Sequence, residues 1–374
     1  MTDTALRQAH EILAASPFID AHNDLPYVIR IDKEAQGDPT IYRLDQRRNS
    51  GDTDIPRLRE GRVAAQFWAA FVPPKEPQPA TYALQQIALI RRMNAVYADD
   101  FLPALRASDV KRAKRLGKIA SFITVENGAA IENRLDALDA YYDLGVRLMT
   151  LCHNATLDWV DSATDAPRSD GLSEFGRQVI GRMNDLGMIV DCAHVSDRVM
   201  HQALDISRAP LVFSHSNARA LCDHRRNVPD DVLARIAEKN ALVMATFVPD
   251  FICQRSKDWM AALKDAWGKT PEGLDPDILV PAREKEIGAW PRGSLNQYCD
   301  HLDYLKSRVG PDHIGIGSDF FGGPQGEGLK DAACFPHIFA ELIRRGWPKP
   351  HLRKLAGENF LRVFRAVEKA RNRS

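Results

Sequence analysis

Short apolar runs recur along the chain at residues 18–24, 65–72, 119–126, 147–153, 188–194, 211–215, 242–248 and 313–319. Each is nearly continuous and does not alternate with polar residues, the pattern of strands buried on both faces of a parallel sheet. Between the runs the apolar residues shift to helical spacing. Phe175, Val179, Met183 and Leu186 line one face, and Gly187 stands where a helix stops. Pro229, Asp230 and Asp231 open another helix, with a proline and acids where an N-terminus favours them. Ile338, Phe339, Leu342 and Ile343 form a stripe ended by Gly346, and Phe360, Val363, Phe364 and Val367 mark a last helix, expected to dock on the barrel exterior. Residues 1–15 read as a short amphipathic helix with Leu6, Ala9, Ile12 and Leu13 on one face. Eight strand–helix units predict an α/β fold, a (β/α)8 TIM barrel. The second reading, a doubly wound open sheet, lacks the G-x-G-x-x-G expected after its first strand. There is no internal repeat or low-complexity tract, so residues 1–374 are expected to form a single catalytic domain. Long segments near 27–62, 155–173 and 249–296 are expected to be loops over the top face.

Composition narrows the partners. Of 374 residues, 44% are hydrophobic and 27% charged, which is ordinary for a globular chain. Fifty basic residues balance fifty acidic ones, and without a basic block no nucleic-acid partner is expected. The first residues lack the basic start and apolar core of a secretory signal, and no apolar run reaches the ~18 residues of a membrane span. The last residues are charged and unlike a lipid-anchor tail, so a soluble cytoplasmic protein away from membranes is expected. Six scattered cysteines without a C-x-x-C pair read as reduced thiols; Cys152 and Cys192, close to histidines of interest, are expected to pack in the core.

The ends of the apolar runs carry the chemistry. His22 and Asp24 close the first, Glu126 the third, His153 the fourth, His194 the fifth, His215 the sixth and Asp319 the eighth. Strand ends of a barrel converge on one mouth, where catalysis in this fold is located. Residues two apart on a strand share a face, so His22 and Asp24 are expected to meet at one ion, with Asp20 on the same face behind His22. Imidazole with carboxylate suits Zn²⁺, with Mn²⁺, Co²⁺ or Fe²⁺ as competitors. His22, Asp24, Glu126, His194 and His215 are one ligand too many for a single tetrahedral site. A bridging Glu126 resolves this: His22, Asp24 and Glu126 hold one Zn²⁺, and Glu126, His194 and His215 hold a second. A hydroxide shared by the two metals is then the expected nucleophile.

Longer passages carry a resemblance. Residues 19–26 (IDAHNDLP), 54–61 (DIPRLREG), 213–216 (FSHS), 225–231 (RRNVPDD) and 357–364 (GENFLRVF) resemble the membrane (renal) dipeptidase family of zinc peptidases, within the amidohydrolase-like barrels. The resemblance runs from about residue 18 to residue 367, nearly the whole chain. It implies hydrolysis of the peptide bond of L-Xaa-L/D-Xaa dipeptides at a binuclear zinc site with the ligands above, and a homodimer. It further implies that His153 polarises the scissile carbonyl, that Arg226 grips the dipeptide carboxylate, and that Asp319 shuttles a proton to the leaving amine. Arg225 and His224 are neighbours that compete for the role of Arg226. The family often shows Asp-Phe-Asp-Gly where this chain has Asp319-Phe320-Phe321-Gly322, a departure that bears on the substrate's amino end. Other amidohydrolase-type reactions, deamination or lactone and ester hydrolysis, stand as the alternative, with a non-catalytic metal-binding barrel behind them. Asp24 and Glu126 occupy the places where those relatives typically carry a histidine and a carboxylated lysine.

Overall fold

A computed structural model describes residues 3–267, 280 and 284–372. All the expected strands form: β1 (Phe18–Asn23), β2 (Val63–Phe71), β4 (Ile119–Glu126), β5 (Val146–Thr150), β6 (Ile189–Asp191), β7 (Val212–Phe213), β8 (Leu242–Ala245) and β9 (Ile314–Ile316). They pair in parallel in the ring order β1-β2-β4-β5-β6-β7-β8-β9, and β9 returns to β1. The result is a closed eight-stranded parallel barrel wrapped by helices, the TIM-barrel architecture. A further short strand, β3 (Phe101–Pro103), pairs with the lower part of β4 at residues 119–121, while β5 pairs with β4 from Ile123 upward.

The strands stop earlier than the apolar runs suggested. β5, β6, β7 and β9 end at Thr150, Asp191, Phe213 and Ile316, before the histidines and the acid that follow them. His194 and Asp319 take left-handed backbone conformations (φ 69° and 62°), which no ladder accommodates. β1 likewise ends at Asn23, and Asp24 is the N-cap of the helix Leu25–Ile31. Asp24 therefore meets His22 through a strand-to-helix turn, not through strand parity.

Two large apolar clusters hold the fold, beside a small third one of Trp259, Val280 and Trp290. One lies between strands and helices. The other gathers Ala65, Phe67, Ala120, Phe122, Leu148, Ile189, Val212, Leu242 and Met244 with Phe360, Phe364 and Val367. Residues from so many strands of a ring can meet only in its lumen. The helix Asn359–Ala370 thus plugs the lower end of the barrel and does not lie on its exterior: Phe360 stands edge-on to Phe67 at 4.8 Å, and Asn359 bonds the carbonyl of Ile314 at the start of β9. The first expected loop is not structureless; it folds into the helices Leu25–Ile31, Pro39–Tyr42 and Ile55–Glu60. Within the third, residues 268–279 and 281–283 lie outside the described residues. Among the described residues no helix is long and apolar enough to cross a membrane, and all six cysteines are buried as free thiols.

Buried His301, on the helix Leu295–Val309, ties this helix to the top loops. Its Nδ1 accepts from the Ala218 amide at 3.2 Å, and its Nε2 faces the Ile252 carbonyl at 2.9 Å. Burial holds its pKa down at about 4 against 6.5 for a free imidazole. The unfolded chain therefore binds the extra proton first. The contribution of His301 is complete above pH 6.5 and lost as pH falls toward 4, up to ~3 kcal/mol in all. Urea titrations of His301→Gln are expected to show a flatter loss of stability across that window; an unchanged slope removes His301 as its source.

Candidate metal centre

The strand ends converge as the fold requires. His22 Nε2 lies 3.4 Å from Asp24 Oδ2, 3.4 Å from Glu126 Oε2 and 3.8 Å from Asp319 Oδ1. The other oxygen of Glu126, Oε1, lies 3.2 Å from His194 Nε2, 3.8 Å from His215 Nε2 and 3.9 Å from His153 Nε2. Three groups have ligand atoms spaced to surround a cation: His22, Glu126 and His215; Glu126, His153 and His194; and His22, Asp24 and Asp319. The first two share Glu126, and nearly all of these side chains are buried.

The hydrogen-bond network fixes where the lone pairs point. Ser214 Oγ donates to Asp191 Oδ2 at 2.6 Å, so its bond to His215 Nδ1 at 2.8 Å takes the proton from the imidazole. Asn154 Oδ1, an acceptor, faces His194 Nδ1 at 3.0 Å and takes that proton. Both Nε2 atoms are then bare lone pairs, yet they face one another at 2.9 Å. Two acceptors at that separation repel unless a cation lies against both. His22 adds a second sign, since neither of its ring nitrogens has a hydrogen-bond partner although the residue is 1% exposed. Orphaned buried nitrogens beside carboxylates fit a metal ion.

Electrostatics agree. Burial, reinforced by Arg226 and neighbouring imidazoles, holds His194 well below its usual pKa; burial, then His22 and Arg226, does the same to His215. Both are neutral and ready to ligate. Burial depresses His22 too, but the charges of Glu126 and Asp24 outweigh it and hold this imidazole well above its usual value. Burial, with the Glu126 charge, raises Asp24 to about 6. Asp319 also rises to about 6 through burial, with Asp24 adding to it and His22 opposing. A carboxyl poised there can take and return a proton near neutrality.

The backbone bends sharply under this cluster. Asn127, His194, Asp319 and Phe321 all carry positive φ, at 89°, 69°, 62° and 68°, strain of the kind concentrated at functional sites. Gly322 is required next to them: a Cβ there would sit 2.2 Å from Asp319 Oδ1.

A cavity of about 230 Å³ opens over the cluster, lined by Asp24, Glu126, His153, His194, Arg226 and Asp319 and by Tyr27, Phe71, Val248, Phe251 and Phe321. His153 presents a ring whose Nδ1 has no partner, and burial with the Arg226 charge holds its pKa at about 3, so it is neutral. Arg226 is 2% exposed and makes only long bonds, to Ser216 Oγ at 3.5 Å and the His215 carbonyl at 3.4 Å. No carboxylate of the described residues lies within 4 Å of it. Burial lowers its pKa only to about 10, so it remains a cation in the cavity wall. Arg225 is exposed, and His224 accepts from the Arg226 amide at 3.1 Å, in a supporting position.

One expectation is not met. Asp20 does not touch the His22 ring; it accepts from the Ser318 amide and hydroxyl, both at 2.7 Å, and from Gln66 at 2.9 Å, fastening the end of β9 to β1. The residues that orient the imidazoles are others: Asn154 behind His194, and Ser214 held by Asp191 behind His215. Asp191 also accepts from Thr150 Oγ1 and from the amides of Ala193 and Ser214. The signal in the sequence was adjacency, since Asn154 and Ser214 neighbour His153 and His215; nothing there distinguishes them from loop residues. Outer partners of this kind usually account for ~10–100-fold in metal affinity. Asn154→Ala is expected to lose metal to a chelator at a free-chelator concentration lower by about that factor; an unchanged competition curve would remove Asn154 from this role.

The membrane dipeptidase (peptidase family M19) model matches residues 6–374. Dipeptidase 3 of Rattus norvegicus is 33% identical over 383 aligned residues, covering 100% of this chain and 70% of its own length. Among solved structures, the probable dipeptidase PvdM from Pseudomonas aeruginosa superposes with a TM-score of 0.84 at 27% identity, over 99% of this chain and 100% of that one. A metallopeptidase from Rhodobacter sphaeroides, liganded with a phosphinate mimic of the dipeptide L-Ala-D-Ala, shares the fold with a TM-score of 0.75 at 24% identity, over 94% of this chain and 99% of that one.

Proposed function

The chain belongs to the membrane dipeptidase family, peptidase family M19, and is a metallopeptidase that acts as a dipeptidase; from that premise we propose hydrolysis of L-Xaa-L/D-Xaa dipeptides at a pair of zinc ions bridged by Glu126. The single observation behind the pairing is the divided carboxylate, Oε2 toward His22 and Oε1 toward His194 and His215. His22 and Asp24 would hold one ion together with it, and His194 and His215 the other. When bound, such a pair supplies Lewis acidity and an activated water at neutral pH.

The remaining roles fall to this chain's own side chains. Arg226, a buried cation without a carboxylate partner among the described residues, takes the C-terminal carboxylate of the substrate through its planar fork. His153 stands by the scissile carbonyl as a neutral donor to the developing oxyanion, a contribution typically worth about 10²–10³ in rate. Asp319 accepts a proton from the attacking water and delivers it to the leaving amine. The mimic held by the Rhodobacter sphaeroides protein has the size and stereochemistry of such a substrate. A homodimer in the cytoplasm completes the reading.

A dipeptide library of varied stereochemistry, run on protein of measured zinc content, tests it. The expected result is cleavage by protein carrying two ions per chain. One ion per chain, still bound in Glu126→Gln, would overturn the paired site; a library left uncut by metal-replete protein would overturn the substrate class.

A further inference from the structure

Among the described residues, the cavity is lined by no acid outside the cluster around His22. In the ring order β1-β2-β4-β5-β6-β7-β8-β9, β2 stands diametrically opposite β7. Arg226 follows β7, and Phe71 ends β2. A substrate whose carboxylate lies on Arg226 and whose amide lies over Glu126 and His153 therefore directs its first residue at Phe71. The Tyr27 ring packs edge-on to Phe71 at 5.1 Å, and Phe321 completes this wall. Phe321 is held there firmly. Its amide donates to Asp52 at 2.9 Å, and its ring lies against Gly51, where a Cβ would come within 2.9 Å of it. The acids that line the cavity are Asp24, Glu126 and Asp319. All three belong to the cluster around His22, already given to metal binding and proton transfer.

Among the described residues an ammonium on the first residue thus meets aromatic faces and no free carboxylate, whereas an acyl chain meets a surface that suits it. Aromatic faces return only a weak attraction to a cation, while each apolar methylene buried there gains by leaving water. We propose that this site also hydrolyses N-acyl amino acids, compounds that keep the carboxylate for Arg226 and the amide for the centre but lack the ammonium. Water adds to the acyl carbonyl, the C–N bond breaks, and the products are a carboxylic acid and the free amino acid, whose nitrogen takes the proton carried by Asp319. The inference rests on the dipeptidase reading of the same site.

The test compares the best-cleaved alanyl dipeptide of the library with its propionyl counterpart, which differs only in having hydrogen where the dipeptide has its ammonium. The expected kcat/KM values lie within about tenfold of one another. Phe321→Asp, which places an acid at a backbone conformation that aspartate tolerates better than phenylalanine, is expected to raise the ratio of dipeptide to propionyl cleavage at least about tenfold. A dipeptide cleaved more than a thousandfold better than its propionyl counterpart overturns the inference and leaves the dipeptidase reading standing. An unchanged ratio in folded Phe321→Asp overturns the assignment of the amino end to this wall. If no alanyl dipeptide is cleaved while other amides are, the dipeptidase reading itself fails.

Discussion

Glu126→Gln is expected to strip both ions from the protein and to lower kcat/KM on a dipeptide by at least about 10³-fold, beyond what the loss of an outer partner costs. The substitution conserves volume, so the buried site keeps its packing. The amide that replaces the carboxylate has one oxygen and one nitrogen. If the nitrogen takes the place of Oε1, it stands 3.2 Å from His194 Nε2 and donates to that lone pair, giving the imidazole a partner that needs no metal. If it takes the place of Oε2, His22 loses its nearest carboxylate oxygen but that of Asp24. Either orientation removes the charge that the proposed bridge would share between two ions. Asp24→Ala makes the contrast, because Asp24 reaches only the His22 side; it is expected to lose one ion and keep the other. Metal content by mass spectrometry, on folded protein of each variant, decides the matter. Glu126→Gln that retains two ions would refute the bridge.

Asp319→Asn is expected to lower kcat by about 10²–10⁴-fold, the range for a positioned proton-transfer group, with metal content close to wild type. Asparagine is the appropriate replacement because residue 319 lies at φ 62°, a region where asparagine is tolerated and alanine is strained. Its volume also respects the close approach of Gly322. Asp319→Ala should likewise abolish turnover with metal near wild type. The experiment separates two roles that the geometry places side by side, since Asp319 Oδ1 is 3.8 Å from His22 Nε2 and groups with His22 and Asp24. A variant that loses an ion along with its activity makes Asp319 a ligand; unchanged turnover removes the proton-transfer role.

The barrel was legible in the sequence because parallel strands buried on both faces leave unbroken apolar runs, and each of the eight runs became a strand. β3 was not legible: three residues ending in Pro103, bonded only beside the lower part of β4, are too short for a periodicity to register. The strand ends were overrun because His153, His194 and His215 continue an apolar stretch in sequence, while their backbones leave the ladder. The apolar stripe of the final helix is visible in the sequence, but one-dimensional spacing cannot distinguish an exterior face, the expected docking place, from the lumen that Phe360 and Phe364 fill. The candidate ligands were visible as residue types at strand ends. The partners of their far nitrogens were not, since Asn154, Ser214 and Asp191 reveal themselves only through who bonds whom in space. The partners of Asp20 are hidden for the same reason: its parity with His22 is real, but Ser318 and Gln66 reach it first.

The opposition of β2 and β7 across the mouth makes the barrel a ruler. Arg226 sits on one rim and Phe71 on the other, and in the proposed reading the bond to be broken lies over Glu126 between them. A chain advances roughly 3.5 Å per residue, so a peptide one residue longer on its carboxyl side carries its terminal charge past the guanidinium or shifts its scissile bond off the centre. Discrimination against extension on the carboxyl side would then need no moving gate. On that reading the span of the sheet would set the count, and the interior bonds of an intact protein, with no terminal carboxylate one residue away, would go unread.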